Sequence, residues 1–167
     1  MRLMSSIALQ TQNETKSRCA APTVVVLYED VIAGQTGRQV ADQFVSEEGC
    51  PLGEIAIWNA ALIDDTIFGP FIAGQIAHAG LIVLALHDAG GLTQSLRTWI
   101  DRWTSSDGHK PRAIAVTLRE TYSPSMVRIC HFLKNTARRA GMEFFQHCSD
   151  LLLPGEQETG CESLWVI

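Results

Sequence analysis

The chain has 167 residues, 46% hydrophobic and 19% charged, with a formal net charge of −5. That size suits one domain with its own core, and the balance excludes a disordered or fibrous chain. The net negative charge argues against a general nucleic-acid binder, and five scattered cysteines with no C-x-x-C pair exclude a zinc framework or a disulfide scaffold.

Residues 1–21 are polar and aperiodic and predict a flexible arm; 22–167 predict a single domain. The arm lacks the continuous apolar run of a signal peptide, and no stretch approaches the ~20 apolar residues of a membrane span. With the odd cysteine count, this points to a reducing, cytoplasmic setting.

Thr23-Val-Val-Val-Leu-Tyr28 is the β-branched, continuously apolar run of a strand buried on both faces. The stretch 31–37, with two glycines and a threonine, reads as a loop, and helical spacing begins at Arg38 and continues to Glu48. Glu54–Trp58 predicts a second strand. Asp64-Asp65 mark a helix start, with Ile67, Phe71, Gly74 and His78 near one face. Gly80–Leu86 is the strongest strand signal, and Gly90-Gly91 breaks it. Leu92, Leu96, Trp99, Ile100 and Trp103 then recur at helical spacing.

After a polar loop at 104–110, Ala113–Leu118 predicts a fourth strand. Ser123-Pro124 supplies an N-cap followed by proline in the first turn, Gly141 a C-terminal stop, and 142–148 a fifth strand. Beyond Pro154 the chain is polar until Leu164-Trp165-Val166-Ile167, which is expected to pack against something. Five strands alternating with four helices predict a three-layer α/β/α sandwich around a parallel sheet of order 2-1-3-4-5.

In such sheets ligands sit at the carboxyl ends of the strands, where the strand order switches. The polar residues expected there are Glu29, Asp30, Gly34–Gly37, His87, Asp88, Arg119, Thr121 and Tyr122. Gly34–Gly37 before a helix start reads either as a phosphate cradle or as a plain turn. His87-Asp88 is an acid/base pair or a polar loop start, Tyr122 a stacking platform or a half-buried tyrosine, and Glu29-Asp30 a Mg²⁺ site or strand-terminating acids. Cys130 is expected to be an inert buried thiol, and His78 and His131 helix-face residues. Arg138-Arg139 fit a helix C-terminus.

The segment Ala79–Trp103, with Leu96-Arg97-Thr98-Trp99-Ile100-Asp101-Arg102 in its helix, resembles the flavodoxin and NAD(P)H-dependent FMN reductase superfamily. Thr36-Gly37 is similar to part of that family's phosphate loop. The resemblance spans about residues 23–148 and implies an FMN-binding redox protein, or a flavin-dependent NAD(P)H oxidoreductase if it is an enzyme. FMN phosphate would lie on Gly34, Gln35, Thr36, Gly37 and Arg38, and its ring near His87, Asp88 and Tyr122. The sequence departs from the family at Leu86-His87-Asp88-Ala89, where a small-Pro-x-Tyr loop is usual. Glu29-Asp30 and Thr117 also resemble a two-component receiver domain, but Ala85 stands where the phospho-acceptor aspartate would be. These departures motivate a second expectation: a non-enzymatic regulatory or interaction domain with no flavin, binding a partner or a second copy through an apolar surface such as Trp103 or the 164–167 cluster.

Overall fold

The computed structural model describes residues 24–47, 54–108, 111–119 and 123–148. The strands are β1 (Val24–Tyr28), β2 (Ile55–Asn59), β3 (Leu81–Leu86), β4 (Ala113–Leu118) and β5 (Glu143–Cys148). All neighbours are parallel, and the spatial order is β2-β1-β3-β4-β5. Four helices alternate with them: α1 (Val31–Glu47), α2 (Phe68–His78), α3 (Gln94–Ser105) and α4 (Pro124–Ala140). This is the expected three-layer, flavodoxin-like fold.

The two faces of the sheet are built differently. Leu27, Leu84, Leu86, Ile114 and Leu118 point to one side, against Ile72 and Ile76 of α2, Leu96 and Ile100 of α3, and Ile129 and Leu133 of α4. Each such side chain contributes about 1.5–3 kcal/mol on burial, so most of the folding energy lies here. Val24, Val26, Val83, Ala85, Ala113 and Ala115 face the other side, against Ala33, Val40 and Ala41 of α1.

Small residues on that second face let α1 lie close to the sheet. A Cβ on Gly37 would stand 2.7 Å from Val26 Cγ1 and 2.8 Å from Ala85 Cβ, inside contact distance. Glycine at 37 is therefore a packing requirement. Helix α1 starts at Val31, not at the expected Arg38, so residues 31–37 are helix and not loop. Glycine's low helix propensity made the stretch read as a breaker, and tertiary packing overrides that preference.

Other boundaries follow from caps. The Asp65 carboxylate accepts from the amides of Ile67 and Phe68 at 2.8 and 2.9 Å, so α2 begins after it, and a 3₁₀ turn over Ala60–Asp64 precedes it. The buried face of α2 is Gly69, Ile72 and Ile76. Ile67 and Phe71, expected near one face of the helix with Gly74 and His78, are both exposed. Thr93 caps α3, and Gly90 and Gly91 belong to a short 3₁₀ turn. Ser123 caps α4 as expected, and Gly141 ends it in the left-handed conformation at φ 72°. Cys130 is half-buried. Residues 1–23 and 149–167, on which the arm and tail expectations fall, lie outside the described residues.

Candidate functional site

The order β2-β1-β3 puts the switch point at the carboxyl ends of β1 and β3. Strand β1 ends at Tyr28, and a two-residue corner, Glu29-Asp30, leads straight into α1. Both acids reach across to the end of β3. Glu29 Oε2 accepts the backbone N–H of His87 at 2.9 Å. The same carboxylate lies so close to Gly91 that a Cβ there would overlap it.

Asp30 caps α1: its Oδ1 accepts the Ala33 amide at 2.8 Å, and its Oδ2 lies 3.3 Å from His87 Nδ1. The Ala33 amide foremost, then the His87 imidazole, the Ile32 amide and the Arg119 guanidinium, hold its carboxyl below the ordinary value of 3.8. Asp88 turns back on its own loop and accepts the Gly90 amide at 2.6 Å.

The structure brings His87 together with Glu29 and Asp30, and places Arg119 near enough to act on Asp30. The Asp88 side chain bonds within its own loop instead. Thr121 and Tyr122 lie outside the described residues. Gly34, Gln35, Thr36, Gly37 and Arg38 form the second and third turns of α1, where the helical ladder takes up their amides. Gly34 donates to the Asp30 carbonyl at 2.8 Å, Thr36 Oγ1 to the Ile32 carbonyl at 3.4 Å, and Arg38 pairs with Asp42 one turn on at 3.1 Å.

A helix N-terminus offers free N–H groups to an anion. Here the Asp30 carboxylate already fills that position at α1. This arrangement does not fit the phosphate of FMN as the resemblance places it: the loop is absent and two carboxylates stand at the corner. Among the described residues no group of three or more His, Cys, Asp or Glu side chains is arranged to hold a metal ion. Nor is any helix among them long and apolar enough to cross a membrane.

A second surface lies beside the switch point. Among the described residues, strand β2 pairs only with β1 and stands at an edge of the sheet. Its residues Ile55-Ala-Ile-Trp-Asn59 carry no charge. On the α1 side Ile57 is exposed and shares a shallow cleft of ≈ 510 Å³ with Tyr28, Val31, Gln35 and Arg38. On the α2 side Trp58 is fixed by its Nε1–H, which donates to Gln75 Oε1 at 2.7 Å. The ring meets Phe71 edge-on at 5.6 Å and Phe68 at 6.1 Å.

Val31, Ile67 and Phe71 are each more than half exposed, and Phe68 is 42% exposed. Six of the seven large apolar side chains exposed among the described residues (Val31, Ile32, Ile57, Ile67, Phe68 and Phe71) belong to segments bordering this edge. Sequence reasoning missed the surface. The available signal was an uncharged strand read without asking whether its outer edge would be covered.

No family model, curated protein or solved structure matches this chain. Fold and site therefore define the class: a doubly wound, flavodoxin-like α/β/α domain whose switch point is bridged by its own acids.

Proposed function

We propose that this chain is a protein-interaction domain that works as a twofold dimer joined along β2, with the switch-point acids serving as a structural clasp. The observation that carries the proposal is the uncharged β2 edge, unpaired on its outer side among the described residues, with exposed apolar side chains on both sides. Natural edge strands are usually blunted by lysine, proline or a bulge, because free N–H and C=O groups recruit another strand. An exposed apolar cluster on a folded domain marks a binding surface.

The strand is self-complementary. Antiparallel pairing about a twofold axis at Ile57 sets Ile57 against Ile57 on the α1 side. It sets the large Trp58 of each copy against the small Ala56 of the other on the α2 side. Phe68 and Phe71 then extend the contact beyond the strand.

FMN is not part of this reading, because a phosphate at α1 would face the Asp30 and Glu29 carboxylates at close range. A redox role for the domain would need the flavin held elsewhere.

Light scattering during size exclusion tests the proposal. The native chain is expected at twice its 18.3 kDa mass, and Ile57→Lys at the single-chain mass with an unchanged circular dichroism spectrum. A native protein that stays monomeric at high micromolar concentration, or an Ile57→Lys variant that dimerises equally well, overturns it. An FMN titration followed in the visible spectrum supplies the other arm: stoichiometric uptake would restore the flavin reading.

A further inference from the structure

Independently of the β2 edge, we propose that the cleft between α2 and α3 binds a small aromatic carboxylate. Helix α3 packs against α4, whereas α2 and α3 touch little, and a cleft of ≈ 510 Å³ runs between them on the face of the sheet opposite α1. Small-molecule sites usually enclose about 300–1,000 Å³. Helix α2 lines the cleft with Pro70 and Ala73, and α3 lines it with Trp99 and Trp103, both partly buried. The small residues on one wall leave the room, and the indoles on the other supply apolar contact. The two indoles meet edge-on at 6.1 Å and 65°, so they do not stack on each other and leave ring surface for a flat ligand.

Two polar groups set the chemistry of the occupant. Trp103 Nε1 is buried and has no hydrogen-bond partner among the described residues. An indole N–H can only donate, and leaving it unpaired costs free energy that an acceptor recovers. Arg102, next in the chain, lines the same cleft, is exposed, and has no ion pair among the described residues. Asp65 also lines the cleft, but its carboxylate is taken up by the amides of Ile67 and Phe68. A ring carrying a carboxylate supplies what both groups lack: an acceptor for the N–H and a counter-charge for the guanidinium. A purely apolar occupant would cover the indoles and leave the guanidinium unmatched. Because Nε1 is shielded from solvent, an acceptor meets it only after the Trp103 ring turns toward the cleft, and binding therefore carries a signature at that N–H.

Titration of the isotope-labelled full chain with 2-naphthoate, followed through the indole N–H resonances, tests the proposal. The Trp103 resonance is expected to move saturably, while that of Trp58, held by Gln75, stays in place. Calorimetry should find binding about tenfold weaker for the neutral 2-naphthamide, and weaker to the same degree for Arg102→Gln with 2-naphthoate. Arg102 is exposed, so the circular dichroism spectrum of that variant should match the native one. No saturable shift up to about 5 mM 2-naphthoate overturns the proposal, and a segment of the chain already lying in the cleft would give that result. Equal affinity for the amide, equal affinity in Arg102→Gln, or binding that leaves the Trp103 resonance unmoved overturns it as well.

Discussion

At the switch point, groups that could have met a ligand meet one another. The Asp30 carboxylate caps α1, Glu29 holds the amide of His87, and Asp88 closes the turn that follows. Along β2, the outer backbone edge pairs with no other described strand, and several of the side chains flanking it are apolar and exposed. Topology nominates the first region and bonding economy the second. Among the described residues, the acids at the corner take up the amides of Ala33 and His87.

The largest expected effect tests whether residues 34–37 are helix packed on the sheet. Gly37→Val forces a branched side chain against Val26 and Ala85 and should destabilise the fold by about 3 kcal/mol in urea denaturation. Gly74→Ala, on the exposed face of α2 with open space around it, should stabilise by about 0.5–1 kcal/mol. A glycine loop at 34–37 would tolerate Gly37→Val at little cost.

Asp30 comes next. Its folded-state pKa lies below its ordinary 3.8, so its contribution is present above that value and is lost as pH falls through the depressed one. Thermal midpoints should therefore fall steeply on acidification below pH 3.8 in the native chain. They should fall less steeply in Asp30→Asn, whose side chain still caps α1 without titrating. Equal slopes would mean that the clasp contributes nothing.

A smaller effect belongs to β5, the edge opposite β2. Burial pushes the His147 imidazole below 6.5. The unfolded chain then binds the proton more readily, so stability rises with pH through that range and falls as pH drops below 6.5. His147→Gln should flatten this dependence, measured as the urea midpoint on either side of 6.5. Smallest for the fold is Ile57→Lys: an exposed edge position should change monomer stability by no more than about 0.5 kcal/mol, so any loss of dimer reports the interface itself.

Much of the fold was legible in the sequence. Continuous apolar runs gave the buried strands β1, β3 and β4, and Ser123-Pro124 with Gly141 bounded α4 because those residues act through local chemistry. The start of α1 was not legible, since the reason for Gly37 is the nearness of Val26 and Ala85, which lie far from it in the chain. The residues of the rim were legible as a set, but not their pairing: nothing local tells that Glu29 will bond the amide of His87, 58 residues on. Asp65 was legible as a helix-start acid, but the exposure of Ile67 and Phe71 was not, because spacing groups residues on a face without telling whether another element covers it.

The most direct test of the β2 interface is amide hydrogen exchange across a dilution series. With β2 as the interface, amides of Ile55–Asn59 pointing away from β1 should exchange slowly in concentrated protein and fast on dilution, while those of β3 and β4 stay protected throughout. Exchange along β2 that does not depend on concentration would contradict it.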